Sequence, residues 1–529
     1  MAQANNDGSG RAPVTIVRPT TTVTSGVGVT QKLVTAAVAF GDLMRGTFGP
    51  QGLDKMLYKT NGTTAVTNDG AKIVSELLVK HPAAKAFVQL AEAQEHACGD
   101  GVTGCMIFAS ELMREAGRLL GRGLHPLILN DGYLKAVAVT RQSIESSSSK
   151  WDLTREQLVH VAKTSMNGTA ADIEGTYLAE LVVDGLQTVS GSDGGVNYED
   201  IRMSKRTQGN LLDSRLLDGL ILDTALILDR LPRRLGAGTL VALTCPLDYE
   251  TSSRDADIEV ETADEWMAFV DAKDAILKKK IQQIIDTGAS AIFSAETIEP
   301  SIFHALTDAG CFVLGGLERA GIEDIAQASG ASMCDHLDDL TEASLGTFEH
   351  LTIETSESLD GRRERLCMRF GDSAGLATID VGGGDGVAAE EVIRGLYDAL
   401  RSTAQVMETH ALVRGGGSAE MAAALAVKEA AEQESGRQRL AMEAFARALE
   451  SIPSTLATNA GVDQLDTLLA LRSAHRNGNY DSGIGPSGSV EVVEQAWAPT
   501  ETLLHGIEAA TETACGLLRV DQVISARGD

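Results

Sequence analysis

The sequence has little of what secreted, disulfide-bonded or membrane-spanning proteins need. Its seven cysteines are scattered, with no CxxC pair and no Cys–His spacing typical of zinc ligands. We therefore expect small buried thiols in a reducing compartment. No run approaches ~18 uninterrupted apolar residues, and the first 21 residues contain no apolar stretch typical of a secretory signal. These absences predict a soluble, cytoplasmic protein.

Positive charge is also scarce. Lys and Arg together number 45 against 74 Asp and Glu, which gives a net charge of −29, and the excess acid is spread along the chain. The mean field would repel a phosphate backbone, so a general nucleic-acid binder is excluded. A diffuse acidic surface suits concentrated salt, where screening removes the self-repulsion. We interpret the composition as that of a halophile.

The best-known nucleotide motifs are missing. GxxxxGK[ST] does not occur, nor do HRD and DFG, which excludes a Walker-type NTPase and a protein kinase. Four glycine-rich turns are present instead: FGPQG at 48–52, NDG at 68–70, CGDGVTG at 98–104 and GGG at 415–417. Backbone N–H groups at a helix start can bind phosphate, and a nearby carboxylate can hold Mg²⁺. Each turn by itself is also an ordinary turn, so spacing alone only points toward a nucleotide site.

The chain has 529 residues, enough for about three domains. Helical patterns dominate 28–150 and the part after 386, whereas 219–366 alternates strands such as LVALTCPL with helices, including a long one ending at Gly288. Near Ala83–Glu95, the residues Ala86, Phe87, Leu90 and Ala93 are predicted to form one apolar helix face. The pattern predicts a middle segment inserted into a unit built from both chain ends.

Several long motifs occur in the order seen in one family. They are RGTFGPQGLDKMLY, TNDGAKIVSELLVKHPAAK, GDGVTG, GLHPLILNDGY, VRGGGSAE, ALESIPSTLATNAGVD and LLRVDQVI. In these motifs the chain resembles group II chaperonins, the archaeal thermosome and its eukaryotic cytosolic relatives, over about residues 13–524. With its acidic balance, it looks like a thermosome subunit from a haloarchaeon.

The resemblance implies a multidomain α+β chaperonin fold. A mostly helical equatorial ATP-binding domain would comprise 1–149 and 405–529, and a small α/β intermediate domain 150–218 and 367–404. The α/β apical domain would span 219–366 and carry a helical protrusion at about 255–285 as a built-in lid. It also implies two stacked rings, usually of eight subunits, made of this chain alone or with paralogues. The rings would enclose unfolded clients and be driven by ATP with Mg²⁺, and K⁺ as a further ion.

The family's site residues carry over one by one. The implied nucleotide-binding residues are Phe48, Gly49, Pro50, Asp100, Gly101, Val102, Thr103, Gly104, Asn167, Gly415 and Gly416. Among them Asp100 matches the Mg²⁺ ligand and Thr103 the phosphate-contacting hydroxyl. Asp69 and Asp398 match the acids that orient and activate the attacking water. Phosphoryl transfer needs mainly positioning and charge neutralisation, which these residue types can supply.

The chain departs from the family at several positions. Val102 and Gly104 stand where the family has hydroxyls, Thr169 where it has a lysine that senses the terminal phosphate, and Ala498 where an acid contacts ribose. Arg414 replaces the proline of VPGGG. The principal reading is an ATP-driven folding subunit. The first alternative is a structural or holding subunit with weakened ATPase beside better-equipped paralogues, and the second is a metabolic phosphotransferase with a Mg²⁺-Asp-Gly site.

Client contact is expected on two apolar helix faces of the apical segment. The resemblance implies the lid base around Trp266 and Phe269 and the helix with Ile298, Ile302, Phe303 and Leu306. Exposed apolar groups are what a binder of unfolded chains needs, although residues at helical spacing more often belong to a core.

Overall fold

The structure is a computed structural model. It describes residues 22–25, 27–58, 64–77, 79, 81–150, 153–191, 195–206, 208–224, 231–247, 262–358, 361–371, 375–383 and 387–525. Its α-helices are α1 (Val27–Arg45), α2 (Gly70–Ser75), α3 (Pro82–Cys98), α4 (Val102–Gly121), α5 (Pro126–Ser147), α6 (Arg155–Met166), α7 (Gly175–Val189), α8 (Ala263–Asp286), α9 (Pro300–Asp308), α10 (Arg319–Ser329), α11 (Val387–Thr409), α12 (Ser418–Gln433), α13 (Gln438–Leu449), α14 (Ser451–Asn459), α15 (Gln464–Arg476) and α16 (Thr500–Leu518). Its strands are β1 (Thr22–Ser25), β2 (Lys55–Tyr58), β3 (Thr64–Thr67), β4 (Ser149–Lys150), β5 (Ile201–Lys205), β6 (Arg215–Leu217), β7 (Leu220–Thr224), β8 (Arg234–Leu235), β9 (Gly238–Leu243), β10 (Ala291–Ser294), β11 (Phe312–Leu314), β12 (Met333–Cys334), β13 (Gly346–Phe348), β14 (His350–Ser358), β15 (Gly361–Arg369), β16 (Ala377–Val381), β17 (Ala411–Arg414), β18 (Ser482–Ile484), β19 (Val490–Val492), β20 (Trp497–Pro499) and β21 (Gln522–Ser525).

One hydrophobic core joins the two ends of the chain. Helices α1, α3, α4 and α5 pack against α12, α13 and α16. At its centre Phe108 and Tyr133 meet the ring of Phe445 edge-on, with centroids 5.3 and 5.7 Å away, an arrangement that aromatic quadrupoles favour. Strands β1 and β21 pair antiparallel, so 22–25 lies beside 522–525. The two ends therefore fold as one helical body.

The predicted apolar face of α3 is only partly right. Phe87 and Leu90 are buried, whereas Ala93 is exposed. The buried stripe continues instead through Gln94, whose amide donates hydrogen bonds to the carbonyls of Asp100 and Thr502. A polar residue can occupy a core-facing position when its hydrogen bonds are satisfied, and the apolar pattern did not reveal that.

The middle of the chain forms a mainly parallel sheet covered on both faces. β9 lies between the parallel strands β10 and β12, with β11 beyond β10 and β13 antiparallel to β9. Along β9, Leu240 and Ala242 face the core that includes α10, while Val241 and Leu243 face the core that includes α8 and α9. Successive side chains alternate between faces, which explains why the predicted strand is apolar throughout. The antiparallel sheet β7-β15-β14-β8 adjoins this layer.

A smaller core connects these two bodies. It is built from α6, α7 and α11 against β5 and β16. The boundaries predicted at 366 and 404 fall inside β15 and α11, so continuous elements join the cores there. The predicted long helix matches α8, and the start of the predicted lid, 255–261, lies outside the described residues. Among the described helices, none is both long and apolar enough to cross a membrane.

Candidate functional site

One cavity of about 370 Å³ collects the predicted nucleotide site. All eleven predicted nucleotide-binding residues, from Phe48 to Gly416, line it together with both predicted catalytic acids, Asp69 and Asp398. These residues come from segments up to 368 positions apart in sequence (416 − 48). The fold therefore brings together side chains that the sequence linked only by resemblance.

At one end of the cavity, backbone amides are arranged for an anion. α4 begins after Gly101, which has a left-handed φ of 82° and gives no side-chain cap, so the N–H groups of Val102 to Gly104 have no partner within the helix. Such a helix start attracts phosphate. The loop at Gly49 packs against the one at Gly168, where an added Cβ would lie 2.9 Å from the Gly49 carbonyl oxygen. This contact requires glycine at 168 and fixes the two loops together.

Asp100 is held at the cavity wall by hydroxyl groups. Its Oδ2 accepts hydrogen bonds from Ser165 Oγ at 2.8 Å and from Ser402 Oγ at 3.3 Å. Burial raises its pKa above the ordinary value, against the lowering effect of these hydrogen bonds. The carboxylate is thus oriented while remaining at the cavity surface, as a metal ligand must be.

Asp69 and Asp398 reach the same place from different elements. Asp69 caps α2, with Oδ1 accepting from the Ala71 amide at 2.8 Å, and its Oδ2 lies 3.7 Å from Arg394 Nε. Asp398 lies one turn before Ser402 on the same face of α11, and its carboxyl group lines the cavity together with Asp100. Among the described residues the Asp398 carboxyl group has no hydrogen bond or ion pair.

Burial raises the pKa of both acids, and that of Asp398 is held well above its ordinary range. The negative charges of Asp100, Asp69 and Glu95 add to the effect on Asp398. A carboxyl group whose pKa is raised and whose side chain has no hydrogen-bond or ion-pair partner is suited to accept a proton.

The other end of the cavity is built by the glycine turn after β17. The Gly415 amide donates to the Ala496 carbonyl at 3.0 Å, and the Gly416 carbonyl accepts from the Ile484 amide at 2.8 Å. Arg414 stacks on Trp497, with its guanidinium carbon 3.7 Å from the ring centroid. These contacts form a narrow wall of the cavity, against which a planar group can pack.

The departures from the family pattern lie at this cavity as well. Val102, Gly104, Thr169 and Ala498 all line it. Val102 is buried in the helical core, and the Thr169 hydroxyl donates to the Met166 carbonyl at 2.6 Å. Val102 therefore does not supply the hydroxyl group that contacts phosphate in the family, and Thr169 does not supply the charge of the family's lysine.

Sequence reasoning missed several residues of the site. Ser165 and Ser402 orient Asp100, Glu95 and Glu420 line the cavity, and Arg394 contacts Asp69. Burial raises the pKa of both glutamates to about 7. The only sequence signal was indirect: Arg394 and Ser402 stand four residues before and after Asp398, on the same helix face.

The predicted client-contact residues divide into two groups. Trp266 is 58% exposed on α8, with Phe269 beside it at 6.2 Å between ring centroids. On the other helix, Ile302 and Leu306 are 0% exposed and belong to the core between α9 and the sheet. The expectation of client contact is therefore wrong for these two, because their spacing reflects packing on β10 and β11. Ile298 and Phe303 are half-buried against the same core.

The residues present fit a Mg²⁺ ion that arrives with its nucleotide. In the described ranges no three His, Cys, Asp or Glu side chains form a cluster able to hold a metal by themselves. Mg²⁺ typically takes one or two carboxylates together with phosphate oxygens and water. Asp100, oriented by two hydroxyls beside the anion-binding helix start, meets that requirement.

Comparison with known proteins agrees with this geometry. Residues 40–528 match the model of the TCP-1/cpn60 chaperonin family. The chain is 32% identical to a thermosome subunit of Methanopyrus kandleri, over 93% of this chain and 91% of that protein. It is 32% identical to the thermosome subunit beta of Archaeoglobus fulgidus (98% and 95% covered) and to thermosome subunit 1 of Haloferax volcanii (97% and 92% covered). The chain therefore belongs to the TCP-1/cpn60 chaperonin family and, within it, to the group II chaperonins.

Proposed function

We propose that this chain is an ATP-hydrolysing subunit of a double-ring chaperonin that encloses unfolded proteins and assists their folding. The observation that carries the proposal is the single cavity in which all the predicted nucleotide and catalytic residues meet. It favours an active subunit over a holding subunit, because Asp69, Asp100 and Asp398 are all retained there. It also disfavours a separate metabolic phosphotransferase, since the cavity sits within a chaperonin fold.

In the proposed reaction the phosphates of ATP bind the amides at the start of α4 and the loop at Gly49. The nucleoside lies against the turn at Gly415 and Gly416. Asp100 would hold Mg²⁺, which when bound supplies positive charge to the phosphate oxygens.

Asp69 and Asp398 orient a water molecule toward the terminal phosphorus. Attack forms a new P–O bond, the bond to the ADP oxygen breaks, and the proton of the water passes to Asp398. The products are ADP and inorganic phosphate.

The division into domains is part of the proposal. The core joining the chain ends would be equatorial, the core with β5, β16 and α11 intermediate, and the central sheet with α8 apical. α11 carries both Asp398 and Ser402, which reaches Asp100 in the equatorial part. A movement of α11 would therefore make or break the catalytic arrangement, coupling ATP turnover to ring closure.

Partners and setting follow the same proposal. Archaeoglobus fulgidus has a thermosome subunit alpha as well as a subunit beta that are similar to this chain, which supports rings of this chain with itself or with paralogues. The exposed Trp266 on α8 supports client or lid contact there. The seven cysteines are buried and unpaired, which is in keeping with a reducing cytoplasm. The net charge of −29 is in keeping with adaptation to salt.

The test compares Asp398→Ala with Asp100→Ala in assembled rings. Asp398→Ala should retain MgATP binding and lose at least about 10²-fold in hydrolysis, a typical size for a lost general base. Asp100→Ala should weaken MgATP binding as well. Asp131→Ala, an exposed aspartate on α5, is the matched control and should match the parent in both. Steady-state hydrolysis is measured alongside nucleotide titration.

Unchanged hydrolysis in Asp398→Ala would contradict the catalytic role. A parent protein that forms rings and binds ATP without hydrolysing it would contradict the ATPase, and would favour the holding subunit instead.

A further inference from the structure

A second cavity of about 480 Å³ adjoins the nucleotide cavity. Asp69, Glu95 and Asp398 line both cavities, so these three acids stand at their junction. The walls of the second cavity come from α2 and α3 on one side and from α11 on the other, with Tyr198 at its rim. It is therefore reached through the group of acids that would orient the attacking water.

Beyond the junction, cations outnumber acids. Lys72, Arg394 and Arg401 line only the second cavity, and the one carboxylate that lines it there is Glu92. All three cations are partly accessible, with side-chain exposures of 22–30%. The second cavity thus places three cations beside the acids of the junction.

Each of these cations is held by a carboxylate. Lys72 Nζ lies 2.8 Å from Glu76 and Arg401 Nη1 lies 3.2 Å from Glu95. Arg394 contacts Glu391 at 2.5 Å in addition to Asp69. A guanidinium has five N–H donors, more than these contacts use, so an arriving anion can be bound without breaking the pairs.

The chemistry of the proposed reaction requires such a place. In an in-line displacement the attacking and leaving oxygens lie on opposite sides of phosphorus. Inorganic phosphate is therefore formed on the side of Asp69 and Asp398, away from ADP. At neutral pH inorganic phosphate is an anion, and the cations of the second cavity attract it away from the junction.

We infer that the cavity lined by Lys72, Arg394 and Arg401 is the exit route and transient binding site for inorganic phosphate. This inference rests on the proposed ATPase function. Because one wall is α11, the width of the route depends on the position of the helix that carries Asp398. Phosphate departure and movement of α11 would then be linked.

The experiment separates cleavage of ATP from release of phosphate. Rings of the parent, Lys72→Gln and the double variant Lys72→Gln with Arg401→Gln are mixed rapidly with stoichiometric MgATP. Chemical quenching measures cleavage, and a fluorescent phosphate-binding protein measures free phosphate. Lys85→Gln, an exposed lysine of α3 outside both cavities, is the matched control. Lys72→Gln removes one partly exposed ion pair, so it is expected to fold even if the double variant does not.

In the double variant we expect a rate of ATP cleavage within about threefold of the parent and a rate of phosphate release slowed by about tenfold or more. A tenfold change in rate corresponds to about 1.4 kcal/mol. Lys72→Gln should show a smaller delay, and Lys85→Gln none. Release that keeps pace with cleavage in both cavity variants would overturn the exit route. So would an equal loss of cleavage and release, because the cations would then act on the chemical step. A parent that cleaves no ATP would instead refute the proposed function.

Discussion

Arg414, which stands where the family pattern has proline, organises the end of the cavity where we propose that the nucleoside binds. Its guanidinium stacks on Trp497 at 3.7 Å, and its Nη1 donates to the carbonyls of Val493 and Glu494, both at 3.0 Å. Its Nε also lies 3.2 Å from a carboxylate oxygen of Asp481. One side chain thus ties together three segments of the wall, and Arg414→Ala should release them.

The magnitude follows from these contacts. A cation–π contact contributes about 0.5–2 kcal/mol, and a hydrogen bond from a charged donor about 1.5–3 kcal/mol. The ion pair adds little, because the Asp481 side chain is 62% exposed. The backbone bonds of Gly415 and Gly416 remain and hold part of the wall. We therefore expect a net cost of about 1.5–3 kcal/mol when ATP binds, or roughly 10- to 100-fold in affinity.

The assay measures ATP binding and ATP turnover separately. Arg414→Ala should raise KM and Kd for ATP by that factor and leave kcat within about threefold, because the phosphate end is built by other segments. Arg414→Lys keeps the charge and loses the planar fork, so it should be intermediate. Arg439→Ala, which breaks an exposed ion pair with Glu443, is the control. Parent-like ATP affinity in Arg414→Ala, or a loss confined to kcat, would refute the reasoning.

Two further predictions concern charge. Because burial raises the pKa of Glu420 from its ordinary 4.5 to about 7, the folded protein loses stability as pH rises from about 4.5 to 7. At pH 8 Glu420→Gln should unfold at a higher temperature than the parent, because its free energy of unfolding is greater by about 1–2 kcal/mol after allowing for partial solvent contact. Near pH 4 the two proteins should not differ. An equal gain at both pH values would contradict this. Each subunit carries a net charge of −29, and the Debye length grows from about 3 Å at 1 M salt to about 10 Å at 0.1 M. Rings should therefore dissociate on dialysis to low salt, which light scattering measures. Rings that stay intact and active at 0.1 M salt without Mg²⁺ would contradict the halophile interpretation.

The sequence alone determined the features that depend on local pattern. The apolar run of β9, the long helix α8 and the glycine turns before α4 and α12 follow from side-chain period and backbone freedom, which neighbouring residues set. The scarcity of cationic residues predicted, without any structure, that the chain is not a general nucleic-acid binder. Motif order, read as resemblance, indicated the family and identified Asp69, Asp100 and Asp398 as candidates.

Tertiary structure alone decided which side chains meet and which are covered. Ile302 and Leu306 look like a contact face in sequence and are buried, because α9 packs on the sheet that β10 and β11 form with β9. Ser402 orients Asp100 from 302 positions away. Arg394, Glu95 and Lys72 acquire their proposed roles only because α11 packs beside α2 and α3. Helix and strand periods fix the faces of single elements, whereas burial, raised pKa values and a second cavity arise from how those faces are packed together.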